Sequence, residues 1–210
     1  MFYPLFIDLR DQPVLVVGGG EVAERKIHPL LEAGAAVALV APEVTAVIQE
    51  LAQKKAIHLH RREFDDSDID GARLVISATD DTQTQSRVAN AARSRGVMVN
   101  TVDQPALCDF IVPAVVRRGD VIVAISTSGK SPTLAAALRR RVENVVTADA
   151  ARAVRILGEI RGEVHSRFPN SERRKQVFQQ IVDSGILDWI SECDDAAALQ
   201  RVRGMIEKLR

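Results

Sequence analysis

In the first half of the chain, short apolar runs alternate with segments whose apolar residues recur at helical spacing. Val14 to Val17, Ala36 to Val40, Ala56 to His60, Leu74 to Thr79 and Val97 to Asn100 predict strands, several of them apolar enough to be buried on both faces. Between them, Ala23, Ile27, Leu30 and Leu31 predict a helix ending at Gly34, and Val44, Val47, Ile48 and Leu51 predict a second. Asp80-Asp81 opens a third, carrying Val88, Ala91 and Ala92. Alternating strands and helices imply parallel β-α-β units and a doubly wound α/β sheet. Ahead of these, the alternation of Leu5, Ile7 and Leu9 predicts a short edge strand.

Near Phe110 the pattern changes. Phe110 to Arg118 and Asp120 to Ser126 are two β-rich runs joined through Gly119, which predicts a hairpin. A polar turn, Ser126 to Pro132, leads into a helix with Leu134, Leu138 and Val142, Ser131 suiting its cap and Pro132 its first turn. The remainder carries little strand signal and predicts about three helices, broken near Phe168-Pro169-Asn170 and Asp183-Ser184-Gly185. The expected organisation is a sheet domain over residues 1–112, a hairpin and helix over 113–147, and a helical domain over 148–210. An exposed hairpin needs a cover, and a two-fold dimer built on the hairpin and its following helix supplies one.

The first predicted strand runs into Gly18-Gly19-Gly20-Glu21-Val22-Ala23. Gly18, Gly20 and Ala23 occupy the three places of a G-x-G-x-x-G/A fingerprint, in which the first turn of the helix faces a pyrophosphate. Alone, a glycine triplet is equally a tight turn without ligand; here strand, loop, helix and strand follow in order and the second strand ends at Ala41-Pro42-Glu43. Glu43 stands where an acid accepts the adenosine ribose hydroxyls, and no nearby Arg awaits a 2′-phosphate, so NAD is expected rather than NADP. Thr79 and Asp80, and Asn100, Val102 and Asp103, fall at the carboxyl ends of later strands, where the ligand crevice of such a sheet lies. By residue chemistry alone Asp103 either accepts a proton or orders the loop before Pro105.

Charge narrows the partners. The 210 residues hold 28 Lys and Arg against 28 Asp and Glu, so no net field draws the protein to nucleic acid or an anionic membrane. Met1 to Arg10 lacks the cationic start and cleavage site of a secretory signal, and no apolar run reaches membrane-spanning length, which sets the expectation of a cytoplasmic protein. Cys108 and Cys193 are too far apart in sequence to suggest a disulfide framework or a thiolate metal site. The acidic stretch Asp65 to Asp70 lacks the glycine and distal Glu of a calcium loop and is expected to be a solvated turn. His58 and His60 share a strand face without a third ligand and are expected to be a surface pair.

The chain resembles the precorrin-2 dehydrogenase family, some of whose members also act as sirohydrochlorin ferrochelatases. The resemblance is carried by Pro4-Leu5-Phe6, Val17 to Lys26, Ala78 to Asp81, Asn100 to Asp103, Phe110 to Ala114, Ser126 to Pro132 and Glu172 to Lys175. It implies NAD-dependent oxidation of precorrin-2, a tetrapyrrole with eight carboxylates, to sirohydrochlorin by an interlocked homodimer. It further implies that Asp103 carries the chemistry and that Glu21, Val22, Pro42 and Glu43 line the cofactor site. The substrate's carboxylates would meet Ser126, Thr127, Ser128 and Lys130; Arg117, Arg118, Arg139 to Arg141 and Arg173 to Lys175 are further cations in this half of the chain. If ferrous ion is inserted, Asp103 is the expected protein ligand. The turn departs from some fused members, which have two glycines after two serines. The absence of a methyltransferase segment sets the expectation of an enzyme distinct from the fused form. A binding-only NAD sensor accounts for Gly18 to Glu43 equally well, but not for Asp103, the hairpin or the basic tail.

Overall fold

The computed structural model describes residues 2–209. The chain divides into two compact units, the first running to Val112 and the second from Pro113. In the first unit, strands β1 (Pro13–Val17), β2 (Ala36–Val40), β3 (His58–His60), β4 (Leu74–Ser77) and β5 (Met98–Thr101) form one sheet in the order β3-β2-β1-β4-β5. All four pairings are parallel. Helices α1 (Glu21–Glu32), α2 (Ala46–Gln53) and α3 (Thr82–Ser94) cover its faces. Val14 and Val16 pack with Ala23, Ile27 and Ile48 on one side. Leu15 and Val17 pack with Val75, Val99 and the α3 residues Val88, Ala89 and Ala92 on the other. This is the doubly wound α/β sheet the periodicity predicts, with the order reversing beside β1, where such folds bind ligands.

Two elements differ from expectation. Leu5 to Leu9 form no strand; the edges of the sheet are β3 and β5, Leu5 and Phe6 are exposed, and Leu9 alone of the three alternating residues packs on the core. Alternation provides a face, but no sheet neighbour offers this segment a ladder to join. Strand β3 is three residues long because Ala56 still donates its N–H to Leu51 O, closing α2, before the ladder begins. The acidic stretch is the expected turn. Asp65 and Asp68 cap a 3-10 turn over Asp66–Ile69 reciprocally, and Asp68 pairs with Arg62 while Asp65 and Asp66 pair with Arg87.

The second unit opens with an antiparallel hairpin, β6 (Ala114–Arg118) and β7 (Val121–Ile125), turning at Gly119. The hairpin begins at Ala114 rather than Phe110, since Phe110 packs on the first unit's own core and Pro113 has no N–H for a ladder. Helix α4 (Pro132–Val145) starts where Ser131 Oγ accepts from Leu134 N. Five helices follow rather than three: α5 (Ala148–Glu159), α6 (Arg161–Arg167), α7 (Ser171–Asp183), α8 (Ile186–Trp189) and α9 (Asp195–Lys208). Both expected breaks are present, Asn170 capping α7 and Gly185 adopting the left-handed conformation before α8. Ile156, Ile160, Val177, Ile181, Ile190, Val202 and Ile206 form this unit's core. Among the described residues no helix is long and apolar enough to cross a membrane.

Arg152 fastens α5 to the start of α9, donating to Asp195 and to the carbonyls of Ile190 and Cys193. Hydrogen bonds from Arg155 and then Arg152 hold the Asp195 carboxyl below the usual carboxylate range. A carboxyl with a lowered folded-state pKa adds stability above its unfolded value of about 3.9, and that stability is lost as pH falls through the folded value. Asp195→Asn should therefore melt at a lower temperature than the parent at pH 7. The gap should close as melts are taken progressively below the ordinary carboxylate range.

Candidate active site

Strand β1 ends in a turn whose geometry excludes side chains at two positions. Gly18 has φ +113°, and a Cβ there would sit 2.5 Å from Ala78 O at the end of β4. A Cβ on Gly19 would lie 2.0 Å from Glu43 O beyond the end of β2. These glycines bring three strand ends together. Gly20 is different: a Cβ would meet nothing within 4 Å, and the residue borders an open groove. It is also the N-cap of α1 and offers no side chain to that helix, whereas Thr45 caps α2 and Asp81 caps α3. The first N–H groups of α1 and the positive end of its dipole are therefore left for an anion.

The groove has a volume of about 620 Å³ and takes its walls from every carboxyl strand end except that of β3. It gathers Gly18, Gly19, Gly20, Glu21 and Val22 from β1 and α1, Pro42 and Glu43 after β2, Thr79 and Asp80 after β4, and Val102 and Asp103 after β5. Apart from Asn100, every residue expected at the cofactor site lines it. Asn100 is buried and its Nδ2 donates to Phe110 O at 2.9 Å, so its amide secures the chain leaving the sheet. A hollow of about 660 Å³ beside β3 is comparable in size, but its lining, Gln49 to Arg61, includes neither the glycine turn nor a helix N-terminus.

Asp103 lies on the lip of the groove with φ +59°, a left-handed conformation that Asp tolerates better than most side chains. Among the described residues its carboxylate has no hydrogen-bond or ion-pair partner, and the 3-10 turn that follows, Pro105–Leu107, has no side-chain cap. The partial burial that would suit a base is absent in the chain by itself, where Asp103 is exposed. The reason is that Val102 and Asp103 follow the last ladder residue of β5 and have neighbours only below. Glu43 is exposed at the end of β2 and precedes α2 rather than starting it.

Two residues escaped the sequence reading. Gln85, in the first turn of α3, lines the groove, is 5% exposed, and spans from α3 to carbonyls at the ends of β4 and β5. A glutamine four residues after a helix cap, one past the capping-box position, carries no distinguishing signal in sequence. Arg62, distant in sequence from Glu43, follows β3, whose His60 O accepts from Ala41 N. It is a potential 2′-phosphate partner, yet its guanidinium is held by Asp68, which keeps the expectation of NAD over NADP.

The turn from Ser126 to Lys130 belongs to the second unit. Thr127 Oγ1 donates to Ser131 O and accepts from Ser131 N, so its hydroxyl is engaged within the turn. Ser126 Oγ accepts from Ser128 N, while Ser128 and Lys130 are exposed. Among the other cations, Arg139 pairs with Glu143, Arg173 donates to Leu209 O, and Arg174 donates to Phe168 O and Pro169 O. Their guanidinium groups are thus largely committed to the fold. His58 and His60 are both exposed on β3.

A parallel sheet reversing beside its first strand, with an uncapped helix over a glycine turn and an acid after the second strand, defines a Rossmann-type dinucleotide-binding module. The family model described as putative NAD(P)-binding matches residues 5–114, just over half of the chain, and the chain belongs to that family. A second model, described as sirohaem biosynthesis protein central, matches residues 118–144, the end of the hairpin and most of α4. The siroheme synthase of Methylococcus capsulatus is 44% identical over 87% of this chain and 38% of its own length. That of Methylobacillus flagellatus is 40% identical over 96% of this chain and 44% of its own. The chain thus spans about two-fifths of the length of these curated relatives. Among solved structures, SirC, a precorrin-2 dehydrogenase, superposes with a TM-score of 0.77 at 27% identity, covering 97% of this chain and 100% of that one.

Gly19 and Gly20 should separate by experiment. Gly19→Ala drives a Cβ into a backbone oxygen and should lower the melting temperature or abolish folding, as thermal unfolding would report. Gly20→Ala should keep the parent's melting temperature but weaken NAD binding at least tenfold, read by calorimetry.

Proposed function

We propose that this protein oxidises precorrin-2 to sirohydrochlorin with NAD as acceptor. The reading is supported chiefly by the convergence of the glycine turn and an unengaged carboxylate, Asp103, on one groove. The SirC likeness extends over both chains, and the siroheme synthases cover nearly all of this one. A cytoplasmic location accompanies this reading.

Forming the new carbon–carbon double bond takes a hydride equivalent and a proton from the substrate; a bound nicotinamide would accept the first, and a base or solvent the second. Bound NAD supplies the two-electron acceptor. The α1 N-terminus, Glu21 and Val22 hold the pyrophosphate side, Pro42 and Glu43 the adenosine side, and Thr79, Asp80 and Val102 the remaining wall. Asp103 accepts the proton; a left-handed backbone on the lip of the groove presents its carboxylate outward, where a large planar substrate is met. Ser126, Ser128 and Lys130 offer hydroxyls and an ammonium to the substrate's carboxylates. Covering Asp103 by cofactor and substrate on binding supplies the desolvation a useful base requires. Among the described residues no group of three or more His, Cys, Asp or Glu is placed to hold a metal. In any ferrochelation, ferrous ion would be substrate, met by the tetrapyrrole nitrogens with Asp103.

We propose further that two copies associate through the hairpin and α4. Val116 is the one fully buried residue of the hairpin strands, and α4 buries Ala135 while Leu134 stays 52% exposed and Val145 80%. This apolar surface suits a self-complementary two-fold contact.

Turnover of purified protein with NAD and precorrin-2 generated in place should raise NADH absorbance together with the sirohydrochlorin spectrum; NAD binding without product would identify a sensor instead. Asp103→Ala should bind NAD normally and lose on the order of 10²–10⁴ in kcat; wild-type turnover by that variant removes Asp103 from the chemistry. Leu134→Glu should shift the mass measured by light scattering from dimer to monomer.

A further inference from the structure

Beyond the last ladder residues of β4 and β5, Ser77 and Thr101, the two strand-end loops lose regular pairing, retaining Val102 N to Ser77 O at 2.9 Å. Gln85 of α3 reaches into this gap. Its Nε2 donates to Thr79 O at 2.7 Å and to Val102 O at 3.3 Å, one carbonyl from each loop. Both partners are acceptors, so the amide is oriented with its nitrogen toward them. Among the described residues its Oε1 is buried without a partner, as are Ser77 Oγ and Thr101 Oγ1, which share the α3 face of the sheet with Val75 and Val99.

Val102 O belongs to the same rigid peptide plane as the N–H of Asp103, so fixing that carbonyl fixes the axis about which the Asp103 φ of +59° is set. We propose that Gln85 is the positioning residue for Asp103, clamping the Thr79 and Val102 lips of the groove in one arrangement. The inference rests on the reading that Asp103 accepts the substrate proton, though the clamp itself can be tested apart from it. Gln85 touches no reacting atom; it acts through the peptide it holds.

Two variants test this. Gln85→Met keeps length and volume and removes the donor. Gln85→Glu keeps the shape and, when ionised, sets a carboxylate against two carbonyl oxygens. In protein without cofactor, amide hydrogen exchange at Val102 and Gln104 should rise at least tenfold in both variants at pH 7.5, with β1 and β2 amides unchanged. With substrate at saturating NAD, kcat should fall on the order of 10- to 100-fold through misplacement of the carboxylate. Since a protonated glutamate regains one donor, the kcat of Gln85→Glu relative to the parent should climb as pH is lowered; Gln85→Met should show no such recovery. Unchanged exchange at Val102 and Gln104 overturns the clamp whatever the reaction. Raised exchange with parental kcat overturns the positioning role. A parent that makes no sirohydrochlorin, together with raised exchange in both variants, sinks the dehydrogenase reading and supports the clamp.

Discussion

Everything in the first unit depends on how closely three pieces of backbone approach one another at the end of β1. Gly18 lies against the carbonyl of Ala78 and Gly19 against that of Glu43, at separations no Cβ would allow. Removing two side chains there lets β2, β1 and β4 deliver their ends to one place. The parallel ladder sets the strand spacing, but the missing Cβ atoms decide that the ends converge rather than splay. From that convergence follow the groove, the uncapped N-terminus of α1 beside it, and the placing of Glu43 and Asp103 on the walls of the same groove.

The polar groups around the groove are divided with some economy between holding the fold and meeting a ligand. Thr45, Asp65 and Asp81 are consumed as caps, and hydrogen bonds from Thr84 and Gln83 keep the Asp81 carboxyl below its ordinary range, hence charged. Arg62 and Arg87 are held by acids of the 65–68 turn. Among the described residues, the first amides of α1 and the carboxylates of Glu43 and Asp103 are left without such partners, and these are the groups assigned above to a dinucleotide and a proton-losing substrate. Gln85 links the two classes: wholly buried at the helix end, it holds the peptide from which the uncommitted Asp103 projects.

The second unit has a different character. Its helices close a core of their own around Ile160, Ile181 and Ile190, yet the hairpin and α4 leave apolar side chains such as Val115, Leu134 and Val145 exposed. The sirohaem central model falls on this same segment. The two-fold association proposed above would bury these side chains and make the hairpin part of a larger buried structure.

The local pattern of the chain determined a good deal: buried strands at Val14 to Val17, Ala36 to Val40 and Leu74 to Ser77, the glycine turn, the Ser131 cap, and breaks at Asn170 and Gly185. Each rests on short-range physics, such as apolar periodicity, cap chemistry or left-handed backbone, that a few neighbouring residues express. Tertiary structure alone decided that Leu5 to Leu9 remain unpaired, since the segment leads into β1, whose two sides are already taken by β2 and β4. It also turned Asn100 from the cofactor toward Phe110 O, brought Gln85 under two distant loops, and left Asp103 exposed, because burial and hydrogen-bond partners depend on residues far away in sequence.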